Sequence, residues 1–141
     1  MSPRARAAAA GAVAAVVWGL VEPLDRRIFR CDYSDIALLG KAVTRGRGWP
    51  AAGFLLHAAN GAFFGVAFDA VRQRAHLDHR RLALSLALAE NVALYPLSWF
   101  VDRYHPARGE PGVPRLLDNP RAFGQATVRH TVFGLVLGRL A

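Results

Sequence analysis

Hydrophobic residues dominate four stretches of the chain, and each is close to the length that a helix needs to cross a bilayer. The clearest stretch runs from Trp49 to Phe68, twenty residues without a charged side chain. A soluble helix of this length would show a polar face, and this one has none. The pattern therefore predicts an all-α fold, a four-transmembrane-helix bundle, with spans at about residues 5–24, 49–70, 82–101 and 120–140.

Small and polar residues form a stripe along the second predicted span. Gly53, His57, Gly61 and Gly65 follow one another at intervals of four residues. Residues four apart lie on the same face of a helix, so these four define one narrow face. Glycines at this spacing let two membrane helices approach closely. We therefore predict that the glycines of this face are helix-packing positions.

The fourth predicted span repeats part of this stripe. His130, Gly134 and Gly138 have the spacing of the histidine and the two glycines that follow it in the second span, 73 residues earlier. The repeat predicts two tandem helical hairpins, in which the first and third spans are parallel, as are the second and fourth. The alternative is coincidence, because glycine is common in this chain.

The connections between the spans hold further polar residues. In the first connection, Ser34 and Asp35 precede a mostly apolar segment and predict the start of a short helix at residues 36–45. This helix either lies in the membrane interface or covers the end of the bundle. The acids at the span ends are predicted to pair with neighbouring arginines: Glu22 and Asp25 with Arg26 and Arg27, and Asp102 with Arg103.

The net charge of +8 does not change the prediction of a membrane-spanning bundle. The arginines sit in short clusters between the apolar stretches, as cations that flank membrane spans do. Nucleic-acid binding is therefore not predicted, and the predicted partner is the lipid bilayer. Cys31 is the one cysteine, so no disulfide forms within the chain. The 141 residues are predicted to form a single integral membrane domain with both termini on one side, and the basic residues leave its orientation open.

Five polar residues fall at similar depths inside the predicted spans and form a candidate site. A helix rises 1.5 Å per residue, which places Glu90 near the middle of the bilayer and both histidines on its level. Ionisable groups inside a membrane are costly and often functional. The cluster predicts a proton relay or a solute site; alternatively, its members bond across helices and only fix their packing. The members are His57, Asn60, Glu90, Asn91 and His130.

Other chemistry has little support in the sequence. Two histidines on different helices are compatible with bis-histidine haem ligation, which is a minor alternative. Catalytic serine and phosphate-binding motifs are missing from the sequence, so an enzyme is not predicted. Neither a cofactor nor a metal is predicted.

The segment Trp18-Gly-Leu-Val-Glu22-Pro23, followed by a span rich in histidine and glycine, resembles small uncharacterised bacterial inner-membrane proteins with four helices. The resemblance is one of layout, and it implies a multi-pass protein of the bacterial inner (plasma) membrane.

Two function classes follow from these patterns. In the first, the protein is a non-catalytic packing or assembly protein whose glycine grooves bind a partner membrane helix or a second copy as a homo-oligomer. In the second, it is a small proton-linked transporter or carrier that uses the buried Glu/His cluster.

Overall fold

The computed structural model describes residues 1–75 and 77–141, which form an all-α fold without strands in that part of the chain. The helices are α1 (Pro3–Phe29), α2 (Asp35–Val43), α3 (Trp49–Arg72), α4 (His79–Leu94), α5 (Ser98–Tyr104) and α6 (Pro120–Leu140). A 3₁₀ turn at Tyr95–Leu97 joins α4 to α5. The prediction of an all-α fold is confirmed.

Three of the four predicted spans are long and apolar enough to cross a membrane. They are α1, α3 and the 26-residue segment His79–Tyr104, which includes α4, the 3₁₀ turn and α5. α6 has the length but is not apolar enough, because Gln125, Arg129 and His130 interrupt it. A bundle of four spans therefore remains a prediction.

Two prolines act differently inside these helices. We predicted that Glu22 and Pro23 end the first span, but α1 continues to Phe29 and ends at Arg30, which has a left-handed conformation. Pro96 does interrupt its helix. Because proline cannot donate an N–H and crowds the carbonyl four residues earlier, the chain tightens into a 3₁₀ turn before α5 begins.

The long helices pack as two antiparallel pairs. α1 packs along α3, α4 packs along α6, and α1 also packs along α6, whereas α3 and α4 make few contacts. Gly65 lies against Ala7 and Gly61 against Gly11 and Ala15, which makes α1 and α3 antiparallel. Gly138 lies against Arg80 and Gly134 against Leu84, which makes α4 and α6 antiparallel as well. α1 and α6 are antiparallel too, since Trp18 contacts Phe133 and Asp25 bonds to Arg129. α1 therefore runs parallel to α4, and α3 runs parallel to α6, as the tandem-hairpin prediction requires.

Small residues at the predicted packing positions allow the close approach of these helices. A Cβ atom on Gly65 would overlap the carbonyl oxygen of Ala7. A Cβ atom on Gly134 would lie 2.8 Å from the Cα atom of Leu84. The glycine stripes of α3 and α6 are thus both filled by helices of the same chain.

α2 covers one end of the bundle. Ser34 caps it by accepting a hydrogen bond from the backbone N–H of Ala37 at 3.0 Å. Its Ile36 packs on Gly53 of α3, the remaining glycine of the predicted stripe. The predicted short helix is therefore present, and its buried face packs on the bundle.

Large apolar side chains lie on the surface of the protein, and some charged groups lie inside it. Leu20, Leu55, Phe63 and Phe100 are exposed, whereas Arg129 is buried. The interior also contains an apolar core of alanine, leucine and aromatic side chains. Exposed apolar side chains suit contact with lipid, and charges within a membrane bundle face its interior.

Candidate functional site

The interior of the protein contains two groups of polar residues, and the first surrounds Arg129 of α6. Its guanidinium has no exposed surface. Nε and Nη2 donate to the two carboxylate oxygens of Asp25, each at 2.6 Å. Nη1 donates to Asp35 at 2.7 Å, and Nη2 also donates to the carbonyl oxygen of Tyr33 at 2.8 Å. A guanidinium with this many charge-assisted bonds is held rigidly.

Glu22 connects this group to the start of α2. One of its carboxylate oxygens lies 3.5 Å from Nη1 of Arg129 and accepts the backbone N–H of Asp35 at 2.8 Å. The other accepts the hydroxyl of Ser34. A carboxylate at this position satisfies free N–H groups at a helix start and complements the helix dipole. We call this set the arginine cluster: Glu22, Asp25, Tyr33, Ser34, Asp35, Gln125 and Arg129.

The ion pairs predicted for the acids at the span ends are wrong. Glu22 and Asp25 turn inward to Arg129, because a buried guanidinium without partners would be very costly. Asp102 accepts the backbone N–H groups of Leu116 and Leu117. The arginines adjacent in sequence are therefore not the partners of these carboxylates.

Asp35 and Tyr33 have shifted protonation equilibria within the arginine cluster. Burial raises the pKa of the Asp35 carboxyl, but the charge of Arg129 and the bond from the Tyr33 hydroxyl outweigh it and leave that pKa below its usual value. Burial raises the pKa of Tyr33 well above its usual value, and the charge of Asp35 adds to the effect. Asp35 is thus the ionised acceptor and Tyr33 the neutral donor of their 2.6 Å bond.

The second group of polar residues lines a cleft bordered by α3 and α4, which make few contacts with each other. The cleft has a volume of about 350 Å³. All five residues of the predicted polar cluster line it: His57, Asn60, Glu90, Asn91 and His130. The structure therefore brings together the side chains that the depth argument grouped. Asn60 is exposed and Glu90 is half-buried, so the cleft opens at the protein surface.

Glu90 and His130 face each other across the cleft. Oε2 of Glu90 lies 3.7 Å from Nε2 of His130. Nδ1 of His130 lies 2.8 Å from the carbonyl oxygen of Ala126, and because a carbonyl only accepts, Nδ1 carries a hydrogen. Nε2 of the neutral ring is then unprotonated and directed to the acid. The pair can hold one proton on either the carboxyl or the imidazole.

His57 offers an unused polar atom in the same cleft. The residue is 5% exposed, and its Nε2 has no hydrogen-bond partner among the described residues. Buried polar atoms are normally satisfied, so this exception needs an explanation. Oε1 of Gln125, in the arginine cluster, is also buried without a partner in the described chain. Asn91 is bonded, since its amide donates to the hydroxyl of Thr127 at 3.0 Å.

Trp18 of α1 joins the two groups. Its indole N–H donates to Asp35 at 3.1 Å. Its ring packs edge-on against both His57 and His130, with centroid distances of 4.9 and 4.5 Å. A haem held by these two histidines would have to displace the indole, so the geometry does not favour the haem alternative.

The walls of the cleft are mainly apolar and aromatic. Besides the polar residues and Trp18, they include Leu38, Leu39, Leu94, Tyr95, Leu97, Val101, Phe123 and Phe133. Two acids, Asp35 and Glu90, also line the cleft, and within the described chain no lysine or arginine lines it. The cleft is therefore apolar overall and acidic at its polar floor.

Comparisons with known proteins give no further identification: no family model and no curated protein matches the sequence, and no solved structure matches the fold.

Proposed function

We propose that the protein is a small carrier of the bacterial inner membrane, which takes up a small molecule in the cleft and couples its movement to a proton on Glu90 and His130. The convergence of five polar side chains on one cleft supports this proposal more than any other observation. Such a carrier makes and breaks no covalent bond in its solute, in keeping with the missing enzyme motifs.

The carrier needs a membrane-embedded bundle, and α6 is its fourth span in this proposal. The polar residues that lower the hydropathy of α6 face inward: Gln125 and Arg129 are fully buried. Val128 and Leu135 are on its exposed side. The charge in the middle of α6, on Arg129, is bonded inside the bundle, and the exposed Arg121 and Arg139 lie at the two ends of the helix. The middle of α6 can therefore present an apolar face to lipid, so the helix can cross a bilayer despite its composition.

The orientation of His130 supports proton coupling. Its Nδ1 is fixed by the Ala126 carbonyl, so a proton enters and leaves at Nε2 or at the facing Glu90 carboxyl. At 3.7 Å the two groups are beyond hydrogen-bond distance, so no short bond fixes the proton, and a small approach or one bridging water would let it pass between them. A molecule bound between them would compete for the same position.

The assembly alternative receives less support. It requires glycine grooves that are free to bind a second copy or a partner helix. Gly61 and Gly65 are covered by α1, Gly134 and Gly138 by α4, and Gly53 by α2. The same glycines therefore explain the fold of one chain and leave no groove for another.

Proton flux in reconstituted vesicles tests the proposal. Vesicles that enclose a pH-sensitive dye would contain the wild type, Glu90→Gln or the control Asp118→Asn, which makes the same change on an exposed acid. A panel of amines, alcohols, sugars and organic acids would be added outside in turn. We expect at least one compound to change the internal pH with the wild type and Asp118→Asn, but not with Glu90→Gln. If no compound separates Glu90→Gln from the wild type, the carrier proposal is wrong.

A further inference from the structure

We propose that the molecule that enters the cleft is an organic cation with aromatic or apolar substituents, which exchanges with the proton held by Glu90 and His130. The inference rests on the proposed carrier function and adds the chemical class of its solute. It depends on the charges, the lining and the opening of the cleft.

The charges in the cleft favour a cation over an anion. Glu90 lines the cleft, is half-buried and has no arginine or lysine partner among the described residues, whereas Asp35 is neutralised by Arg129. A phosphate or carboxylate would meet two acids and no fixed cation there. A positive charge beside Glu90 would instead supply the counter-charge that this acid lacks when it is ionised.

The aromatic rings of the cleft suit the same class of molecule. Trp18, Tyr95, Phe123 and Phe133 all line it. Aromatic faces attract organic ammonium groups, and the apolar walls would bury their substituents. A volume of about 350 Å³ lies within the range of small-molecule sites.

The opening of the cleft gives such a molecule a route from the membrane. Leu94 and Leu97 line the cleft and are 46% and 56% exposed, and Asn60, which also lines it, is exposed. The gap between α3 and α4 thus joins a polar floor to an apolar outer surface. An amphipathic cation that has partitioned into the bilayer can enter with its charged group leading.

The exchange conserves charge at the pair. Before binding, one proton lies on the Glu90 carboxyl or on Nε2 of His130. When the cation binds beside the Glu90 carboxylate, that O–H or N–H bond breaks and the proton leaves to solvent. In either case His130 is then neutral, and its Nδ1–H still donates to the Ala126 carbonyl oxygen. The other titratable groups that line the cleft are His57 from α3, Asp35 from α2, and Tyr33 and Tyr95.

Calorimetric titration of the full chain in lipid nanodiscs tests this exchange. The probes are benzyltrimethylammonium and benzenesulfonate, which resemble each other in size and carry opposite charges. Repeating each titration in two buffers of different ionisation enthalpy counts the protons released. We expect the cation alone to bind, with release of about one proton per molecule, and its affinity to fall about tenfold per pH unit on the acid side.

Two variants at Glu90 separate charge from shape. Glu90→Gln should abolish both binding and proton release, whereas Glu90→Asp, which keeps the charge, should retain both with weaker affinity. Binding of the sulfonate, failure of the cation to bind, or cation binding without proton release would each overturn the cation exchange. The vesicle experiment tests the carrier proposal separately. If a neutral or anionic compound moved protons through the wild type there, the carrier proposal would stand although the cation exchange had failed.

Discussion

The arginine cluster and the cleft lie on either side of Trp18 and differ in how fully their ionisable groups are bonded. In the arginine cluster, one guanidinium is matched by three carboxylates, a tyrosine carbonyl and the start of a helix. In the cleft, Glu90 and His130 stand 3.7 Å apart and Nε2 of His57 has no partner in the described chain.

The difference indicates two roles for buried polar residues in one small protein. Removing one member of a bonded cluster leaves its partners unsatisfied in a medium of low dielectric constant, so the fold depends on every member. Groups without partners add little to the fold, and they remain available to a ligand or a proton. We therefore assign the arginine cluster to stability and the cleft to function.

Arg129→Met should have the largest effect on stability. It removes the guanidinium and leaves the carboxylates of Glu22, Asp25 and Asp35 without their cation, so we expect a loss of about 4 kcal/mol in the free energy of unfolding. Unfolding by SDS in mixed micelles, followed by circular dichroism, measures this loss. Arg121→Met is the matched control, because Arg121 is an exposed arginine of the same helix. Equal stability of the two variants would contradict the assignment.

Asp25→Asn tests the same cluster without changing its shape. The amide cannot accept both charge-assisted bonds from Arg129 and the bond from Gln125, so we expect a loss of about 3 kcal/mol by the same unfolding measurement. A stability equal to that of the wild type would show that Asp35 and Glu22 alone suffice to neutralise the buried charge of Arg129.

Trp18→Phe should break the connection between the two groups. It removes the hydrogen bond from the indole N–H to Asp35 and part of the contact with both histidines, so we expect a loss of about 2 kcal/mol. Circular dichroism is again the suitable signal, since the fluorescence of the protein changes with the substitution. A loss as large as that of Arg129→Met would place Trp18 in the arginine cluster itself.

Glu110→Gln should have the smallest effect, because Glu110 pairs with Lys41 and Arg45 at the partly exposed end of the protein. Burial raises the pKa of Glu110, but the two cations outweigh it and hold that pKa below its usual value. The stabilising contribution of Glu110 is therefore present above the pKa of the unfolded chain and is lost as the pH falls through the lower pKa of the folded protein. When unfolding midpoints are measured against pH, the midpoint of the variant should therefore fall less steeply than that of the wild type as the solution becomes acidic. A steeper fall for the variant would contradict the lowered pKa of Glu110.

Local patterns in the sequence predicted much of the architecture and grouped the polar residues that line the cleft. The uncharged stretch before Phe68 predicted α3, and the spacing from Gly61 to Gly65 predicted its packing face. Counting 1.5 Å per residue grouped Glu90 with both histidines, because straight helices convert sequence position into depth. These predictions needed only the geometry of single helices.

The arginine cluster could not be predicted in the same way. Arg129 bonds to Asp25 across 104 residues, and that partnership exists only once α1 and α6 are side by side. Arg26 and Arg27 lie close to Glu22 and Asp25 in sequence, so a prediction based on neighbouring residues chose the wrong partners. One signal was available: an arginine in the middle of a mostly apolar helix requires buried acids somewhere in the fold.

The free energy of unfolding of Glu90→Gln tests the division between the two groups most directly. If the cleft serves function and the arginine cluster holds the fold, this variant should unfold within about 1 kcal/mol of the wild type. A loss of about 3 kcal/mol or more, comparable to that of Arg129→Met, would show that Glu90 is also part of the structural framework.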